Sequence, residues 1–178
     1  MSYSTKQTKR ILVVDDHPLF RSGLAELLNK QPDLEVCGQA DSAQLALGQM
    51  RKHRPDLAII DVSLNGTNGI ELVKLMKAEE PKLAILILSM HDETLYALRA
   101  LKAGALGYLM KAEAVQHVIN AVRRVLEGKM FVSARFAEKL IFKAVNASDT
   151  YSVSPIDSLS DRELVHCFID FQSDYLVS

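Results

Sequence analysis

Four short apolar runs in this chain each end in a residue able to do chemistry. Ile11 to Val14 is followed by Asp15 and Asp16, Leu57 to Ile60 by Asp61, Leu83 to Leu88 by Ser89, and Leu106 to Leu109, after Met110, by Lys111. If these runs are neighbouring parallel strands, their polar ends converge on one rim, because ligands of open α/β sheets bind at the carboxyl ends of strands. Three carboxylates on one rim repel one another, and a divalent cation relieves that repulsion. Hard oxygen donors point to Mg²⁺ rather than zinc. With a cation present the set reads as a phosphoryl site: Asp61 as in-line nucleophile, Lys111 pairing with a phosphoryl oxygen, and the Ser89 hydroxyl donating to another. Each residue also has an ordinary reading: Asp15 or Asp16 as a helix N-cap, Asp61 as a loop carboxylate, Ser89 as structural, Lys111 as a solvated lysine. The joint occurrence at four strand ends favours the chemical reading.

The elements that must hold these residues are visible in the periodicity. Ile11 to Val14, Leu34 to Gly38, Leu57 to Ile60, Leu83 to Leu88 and Leu106 to Leu109 predict five strands. Between them Phe20, Leu24, Leu27 and Leu28 share one helix face, Ser42 to His53 predicts a helix capped by Ser42, and Ile70 to Glu79 and Glu93 to Lys102 predict two more, the latter ending at Gly104. Glu113 to Glu127 predicts a fifth, with Val115, Val118, Ile119, Val122 and Leu126 on one side. Asn65 to Gly69 is expected to be a loop. Strand and helix in regular alternation predict an α/β fold, a parallel sheet covered by helices on both faces with right-handed crossovers.

At 178 residues there is room for one domain and a remainder. Hydrophobic residues at 48% and charged residues at 24% suit an ordinary globular protein, and a net charge of −1 decides nothing about nucleic acid. The longest apolar stretch, Leu83 to Leu88, is far too short for a membrane span, and the polar segment Met1 to Arg10 does not resemble a signal peptide. Cys37 and Cys167 form neither a metal spacing nor a disulfide framework, so the expected compartment is the cytoplasm.

The motifs Ile11-Leu12-Val13-Val14-Asp15-Asp16-His17-Pro18, Asp61-Val62-Ser63-Leu64 with Gly66 and Gly69, Leu88-Ser89-Met90-His91-Asp92-Glu93, and the stretch from Lys102 to Lys111 resemble the receiver domain of two-component response regulators, in particular the NarL/FixJ group. The resemblance covers about residues 9 to 127. It implies a flavodoxin-like five-stranded sheet of order 2-1-3-4-5 between five helices, phosphorylated on Asp61 by a sensor histidine kinase in a Mg²⁺-dependent reaction. Asp16 would be a direct metal ligand, Asp15 a ligand through water, and the Ser63 backbone carbonyl a further ligand. Ser89 and Tyr108 match the family's switch pair, the aromatic ring turning inward on phosphorylation. Such a protein is not an enzyme beyond catalysing its own phosphorylation and dephosphorylation. One position departs from the family pattern: Asn65 stands where a proline is usual, with an expected effect on loop stiffness. His17 and His91 flank the site as loop histidines that the family does not use as ligands, and Cys37 is expected to be buried and inert.

Haloacid-dehalogenase hydrolases also combine an aspartate nucleophile with Mg²⁺, but Asp15-Asp16-His17 lacks their Asp-x-Asp pattern. No Gly-x-Gly-x-x-Gly follows the first strand either, which removes a dinucleotide enzyme.

The expected division is an N-terminal tail at 1–9, the receiver at 10–128, a linker helix at 129–147, and at 148–178 a linker and the opening of a helix-turn-helix domain. Ser158 to Leu164 resembles the start of a LuxR-type output domain, and Ser160 with Glu163 forms a capping box there. Only 14 residues follow Leu164, without Lys or Arg, and from Ser148 onward six acids face the single base Arg162. A DNA-binding helix needs the opposite sign. The expectation is therefore a truncated output domain and no DNA partner unless an intact one is supplied. A homodimer would form through the receiver's outer face or the helix expected from Ser133 to Val145, and the alternative function is a phosphorylation-independent or DNA-free protein-interaction module.

Overall fold

The computed structural model describes residues 8–65, 67–91 and 93–146. The expected linker and helix-turn-helix opening at 148–178 lie outside the described residues, as does most of the 1–9 tail.

The five strong apolar runs form one parallel sheet. Its strands are β1 (Lys9–Val14), β2 (Leu34–Ala40), β3 (Leu57–Asp61), β6 (Ala84–Ser89) and β7 (Gly107–Met110), in the order β2-β1-β3-β6-β7. Counting only the strands of this sheet, that is the expected 2-1-3-4-5. β3 and β6 are buried along their whole length, which is why their sequences show no polar alternation. β2 lies at the edge and is only partly buried.

Alternate residues of each strand point to opposite faces. On one face Ile11, Val13, Ile59, Leu86, Leu88 and Leu109 pack with Leu24 and Leu28 of α1 (Pro18–Asn29) and Ala114, Val118, Ala121, Val122 and Val125 of α5 (Lys111–Leu126). The other face is covered by α2 (Ala43–His53), α3 (Gly69–Glu79) and α4 (Glu93–Lys102), with Ala46, Met50, Leu72, Val73, Met76, Ala97 and Ala100 buried. Among the described residues no helix is long and apolar enough to cross a membrane.

Several local expectations change. The stretch after β3 folds into an antiparallel ribbon of β4 (Ser63–Leu64) and β5 (Thr67–Asn68), with Asn65 in its turn. Asn68 then caps α3, its Oδ1 accepting the Ile70 N–H at 2.9 Å. Ser42 does occupy the N-cap position of α2, but its side chain makes no capping hydrogen bond. Val115 is 80% exposed; the stripe of α5 runs instead through Ala114 and Ala121. α4 ends as expected: Gly104 has φ +108°, in the left-handed region open to glycine, and Ala105 N–H returns to the Ala100 carbonyl at 3.0 Å.

The first compact unit ends at Val132. After α5 the chain returns to the sheet: Phe131 N–H donates to the Leu106 carbonyl at 3.0 Å and Tyr108 N–H to the Phe131 carbonyl at 2.8 Å. The second unit contains α6 (Ala134–Asn146). Ser133 caps it, its Oγ accepting the Phe136 N–H at 3.2 Å.

Candidate functional site

From β1 the chain turns outward to β2 on one side, and β3 then lies on the other side of β1. The order therefore reverses between β1 and β3, and the crevice at their carboxyl ends is the natural ligand position. Asp15 and Asp16 follow β1 there and Asp61 closes β3. Pairing in register puts Asp61 opposite Leu88, so that Ser89 lies one residue beyond, opposite Met110. Lys111 opens α5.

Lys111 binds the rim together. Its Nζ lies 2.7 Å from Asp15 Oδ2 and 2.6 Å from Asp61 Oδ2, with all three side chains buried. The ammonium also sits over the Phe20 ring, 4.6 Å from its centroid. The outer oxygens are held by backbone: Asp15 Oδ1 accepts the His17 N–H at 2.8 Å, and Asp61 Oδ1 accepts the Ser63 N–H at 3.2 Å. Arg21 donates to the Asp15 carbonyl. Neither Asp15 nor Asp16 caps α1, since His17 occupies the N-cap position ahead of Pro18. Burial pushes the Asp61 carboxyl above the ordinary aspartate range, and the Lys111 ammonium pulls it only partly back.

Asp16 is placed differently. Its Oδ1 is buried and has no hydrogen-bond partner. His17 Nδ1 comes within 2.7 Å of that oxygen, but not in hydrogen-bonding alignment. One donor atom from each of Asp15, Asp16, His17 and Asp61 falls within 4.8 Å of the others. With three carboxylates and a single ammonium in the pocket, two negative charges remain when the acids are ionised. An orphaned buried carboxylate oxygen beside two more carboxylates suits a divalent cation.

A second group of residues meets at His91. Its N–H donates to Ser89 Oγ at 2.9 Å, its carbonyl accepts the Tyr108 hydroxyl at 3.1 Å, and its Nε2 lies 2.9 Å from Ser63 Oγ. The ring stacks on Tyr96 of α4 at 4.8 Å between centroids. Tyr108 is fully buried, with its ring turned inward. Ser89 and Tyr108 are thus linked through the His91 backbone rather than to each other.

The residues predicted for the site are therefore brought together: Asp15, Asp16, Asp61 and Lys111 in one cluster, Ser89 and Tyr108 in an adjoining one, with Ser63 between them. Four contributors went unread in the sequence. Phe20 carries the signature of a core helix residue, and only its contact with Lys111 shows another role. Arg21 acts on a backbone carbonyl, which leaves no pattern. His91 was expected to be a bystander. Gly69 reads from the sequence as a motif and loop residue, yet it opens α3 and an added Cβ there would overlap the Asp61 carbonyl oxygen.

Residues 11–123 match the family model of the response regulator receiver domain. The chain belongs to the response regulators of the NarL/FixJ group. Over 155 residues this chain is 35% identical to the response regulator GacA of Pseudomonas protegens, covering 87% of this chain and 71% of that protein. It is 36% identical over 160 residues to the oxygen regulatory protein NreC of Staphylococcus epidermidis, covering 87% of this chain and 73% of the relative. Among solved structures, a LuxR-family two-component response regulator from Aurantimonas sp. SI85-9A1 superposes with a TM-score of 0.72 at 32% identity, over 78% of this chain and 99% of that one.

Proposed function

We propose that the receiver takes a phosphoryl group from a sensor histidine kinase onto Asp61 in a Mg²⁺-dependent reaction and passes the event on through Ser89 and Tyr108. The observation that carries this reading is the shared Lys111 ammonium, within 2.7 Å of both Asp15 and Asp61, beside the orphaned Asp16 oxygen. Asp15, Asp16, Asp61 and the Ser63 carbonyl are the groups that would hold Mg²⁺, which when bound supplies charge neutralisation to the transferring phosphoryl group.

An Asp61 carboxylate oxygen attacks phosphorus in line. The bond from phosphorus to the donor's imidazole nitrogen breaks, and the imidazole leaves with that electron pair. Two features of the chain ready Asp61 for this. Oδ1 is fixed by the Ser63 N–H, and Lys111 is already beside Oδ2, where it stabilises the charge that accumulates on the phosphoryl oxygens. The Ser89 hydroxyl can donate to a phosphoryl oxygen while accepting the His91 N–H, since a hydroxyl does both. Tyr108, held inward by the His91 carbonyl, is placed to report on that loop. The family resemblance assigns the inward ring to the phosphorylated form, so phosphorylation would favour the arrangement in which the His91 carbonyl holds Tyr108.

Incubation with acetyl phosphate and Mg²⁺, read by intact mass, tests the assignment. A phosphoryl mass gain is expected in the wild type and not in Asp61→Asn, and prior EDTA abolishes it. A gain that persists in Asp61→Asn would remove Asp61 from the role.

A further inference from the structure

Phe20 stands where a core-facing helix needs only an apolar side chain, yet its ring meets a charge. It lies in the first turn of α1, half-buried against the sheet face that α1 shares with α5. The Lys111 ammonium sits over the face of that ring, with Nζ 4.6 Å from the centroid. The same nitrogen is 2.7 Å from Asp15 Oδ2 and 2.6 Å from Asp61 Oδ2, on a side chain only 4% exposed. An ammonium carries three N–H donors and no lone pair. The two carboxylates receive it on one side, and the negative face of the ring receives it on another.

We infer that Phe20 is a positioning residue for Lys111, steadying its ammonium by a cation–π contact while the ammonium passes from Asp61 to the incoming phosphoryl group. The inference rests on the phosphoryl reading of the rim and adds to it a residue from outside the polar set. Lysine is a point charge on a flexible four-carbon stem, and phosphoryl transfer is mainly a matter of positioning. In the resting rim the two buried carboxylates hold Nζ. One of them is Asp61, which gives up its share of the pairing as its oxygen bonds to phosphorus. The ring does not change. Its negative face is broad and lacks the direction of a lone pair, so Nζ can shift from Asp61 Oδ2 toward a phosphoryl oxygen without leaving it. Midway through that shift the contacts to both oxygens are long, and the constant ring contact counts for most. An interaction that matters most at that point is read in the rate of transfer.

The test uses the full chain with the phenylalanine at position 20 replaced, at that position alone, by its mono-, di- and trifluorinated forms, together with Phe20→Leu. Fluorine drains negative potential from the ring face while nearly keeping the ring's shape, so electrostatics and packing are separated. The readout is the rate of phosphoryl mass gain with acetyl phosphate at saturating Mg²⁺. It is expected to fall stepwise with each added fluorine, by about three- to tenfold over the series. Phe20→Leu is expected to be at least as slow as the trifluorinated chain, and thermal melts of the fluorinated chains to stay together. Equal rates across the series would overturn the inference even with a slow Phe20→Leu, because ring shape alone would then account for the effect. In that case labelling of the wild type that Asp61→Asn abolishes leaves the phosphoryl reading standing. A wild-type chain that gains no phosphoryl mass would overturn both readings together.

Discussion

Asp61 is held in a conflict that its chemistry requires. A nucleophilic carboxylate must be ionised and must also be withdrawn from bulk water, and burial raises its proton affinity despite Lys111. The consequence for stability has a definite sign. A carboxyl whose affinity is raised by folding binds more proton folded than unfolded, so its contribution falls as pH rises from the ordinary aspartate range through the raised value. Above that window the charged Asp61 weakens the metal-free fold. Asp61→Asn, which keeps the shape and drops the charge, is therefore expected to raise Tm by a few degrees at neutral pH in EDTA. The gain should vanish below the ordinary aspartate range, and thermal melts across pH check it. Lys111 does not reverse the sign, since Asp15 remains to pair with it in the variant. At this scale most of the site was legible. Asp15, Asp16, Asp61, Ser89 and Lys111 announce themselves as polar ends to apolar runs. Phe20 and His91 do not, because Phe20 acts through its contact with Lys111, far along the chain, and His91 through its backbone and contacts with Ser63, Tyr96 and Tyr108 that leave no sequence pattern.

At the scale of elements, the least legible stretch is the one nearest the chemistry. β4 and β5 have two residues each, too short for any period to show, and a segment with Asn and two glycines reads as loop. Their pairing matters because it returns the chain from Asp61 to α3 within a few residues. Gly69 N–H donates to the Val62 carbonyl at 2.8 Å, and the α-carbon of Gly69 lies against the Asp61 backbone. Gly69→Ala has no room for its methyl group there, and the phosphoacceptor's own carbonyl must move. The expected cost is about 1–3 kcal/mol, read by urea denaturation, together with slower labelling by acetyl phosphate. The stripe of α5 was misread for a related reason. Ala114 and Ala121 carry little hydrophobic signal, although small residues are what lets the helix approach the sheet, while Val115 draws attention and faces solvent. Long, strongly apolar elements are legible to within two residues at each end; those defined by small side chains or by pairing are not.

At the scale of the whole receiver, the sheet is a buried platform whose polar ends collect charge at one rim. Among the described residues the buried polar side chains, Asp15, Asp61, Ser89, Glu93 and Lys111, lie at strand ends or at the starts of α4 and α5, so the rim's stability depends on what is bound. A ligand that binds only the folded state raises stability according to its saturation, by about 2.7 kcal/mol at a hundred times Kd. Saturating Mg²⁺ is accordingly expected to raise the Tm of the wild type above its EDTA value. The same addition should leave Asp16→Ala nearly unchanged, because that variant lacks the orphaned oxygen. Differential scanning calorimetry decides it, and an equal rise in both proteins would move the cation away from this rim. The overall architecture was legible because five strand–helix alternations admit few topologies.

The return of Phe131 to β7 has a consequence for the neighbours of the molecule. β7 is the last strand of the sheet, and such a strand offers a row of free amides and carbonyls to any passing chain. Phe131 occupies part of that row, on the side where Gly107 has no side chain to obstruct an approach. The few residues after α5 thus act as a guard against strand-to-strand aggregation, and a cut at Gly128 would lay that part of the row bare.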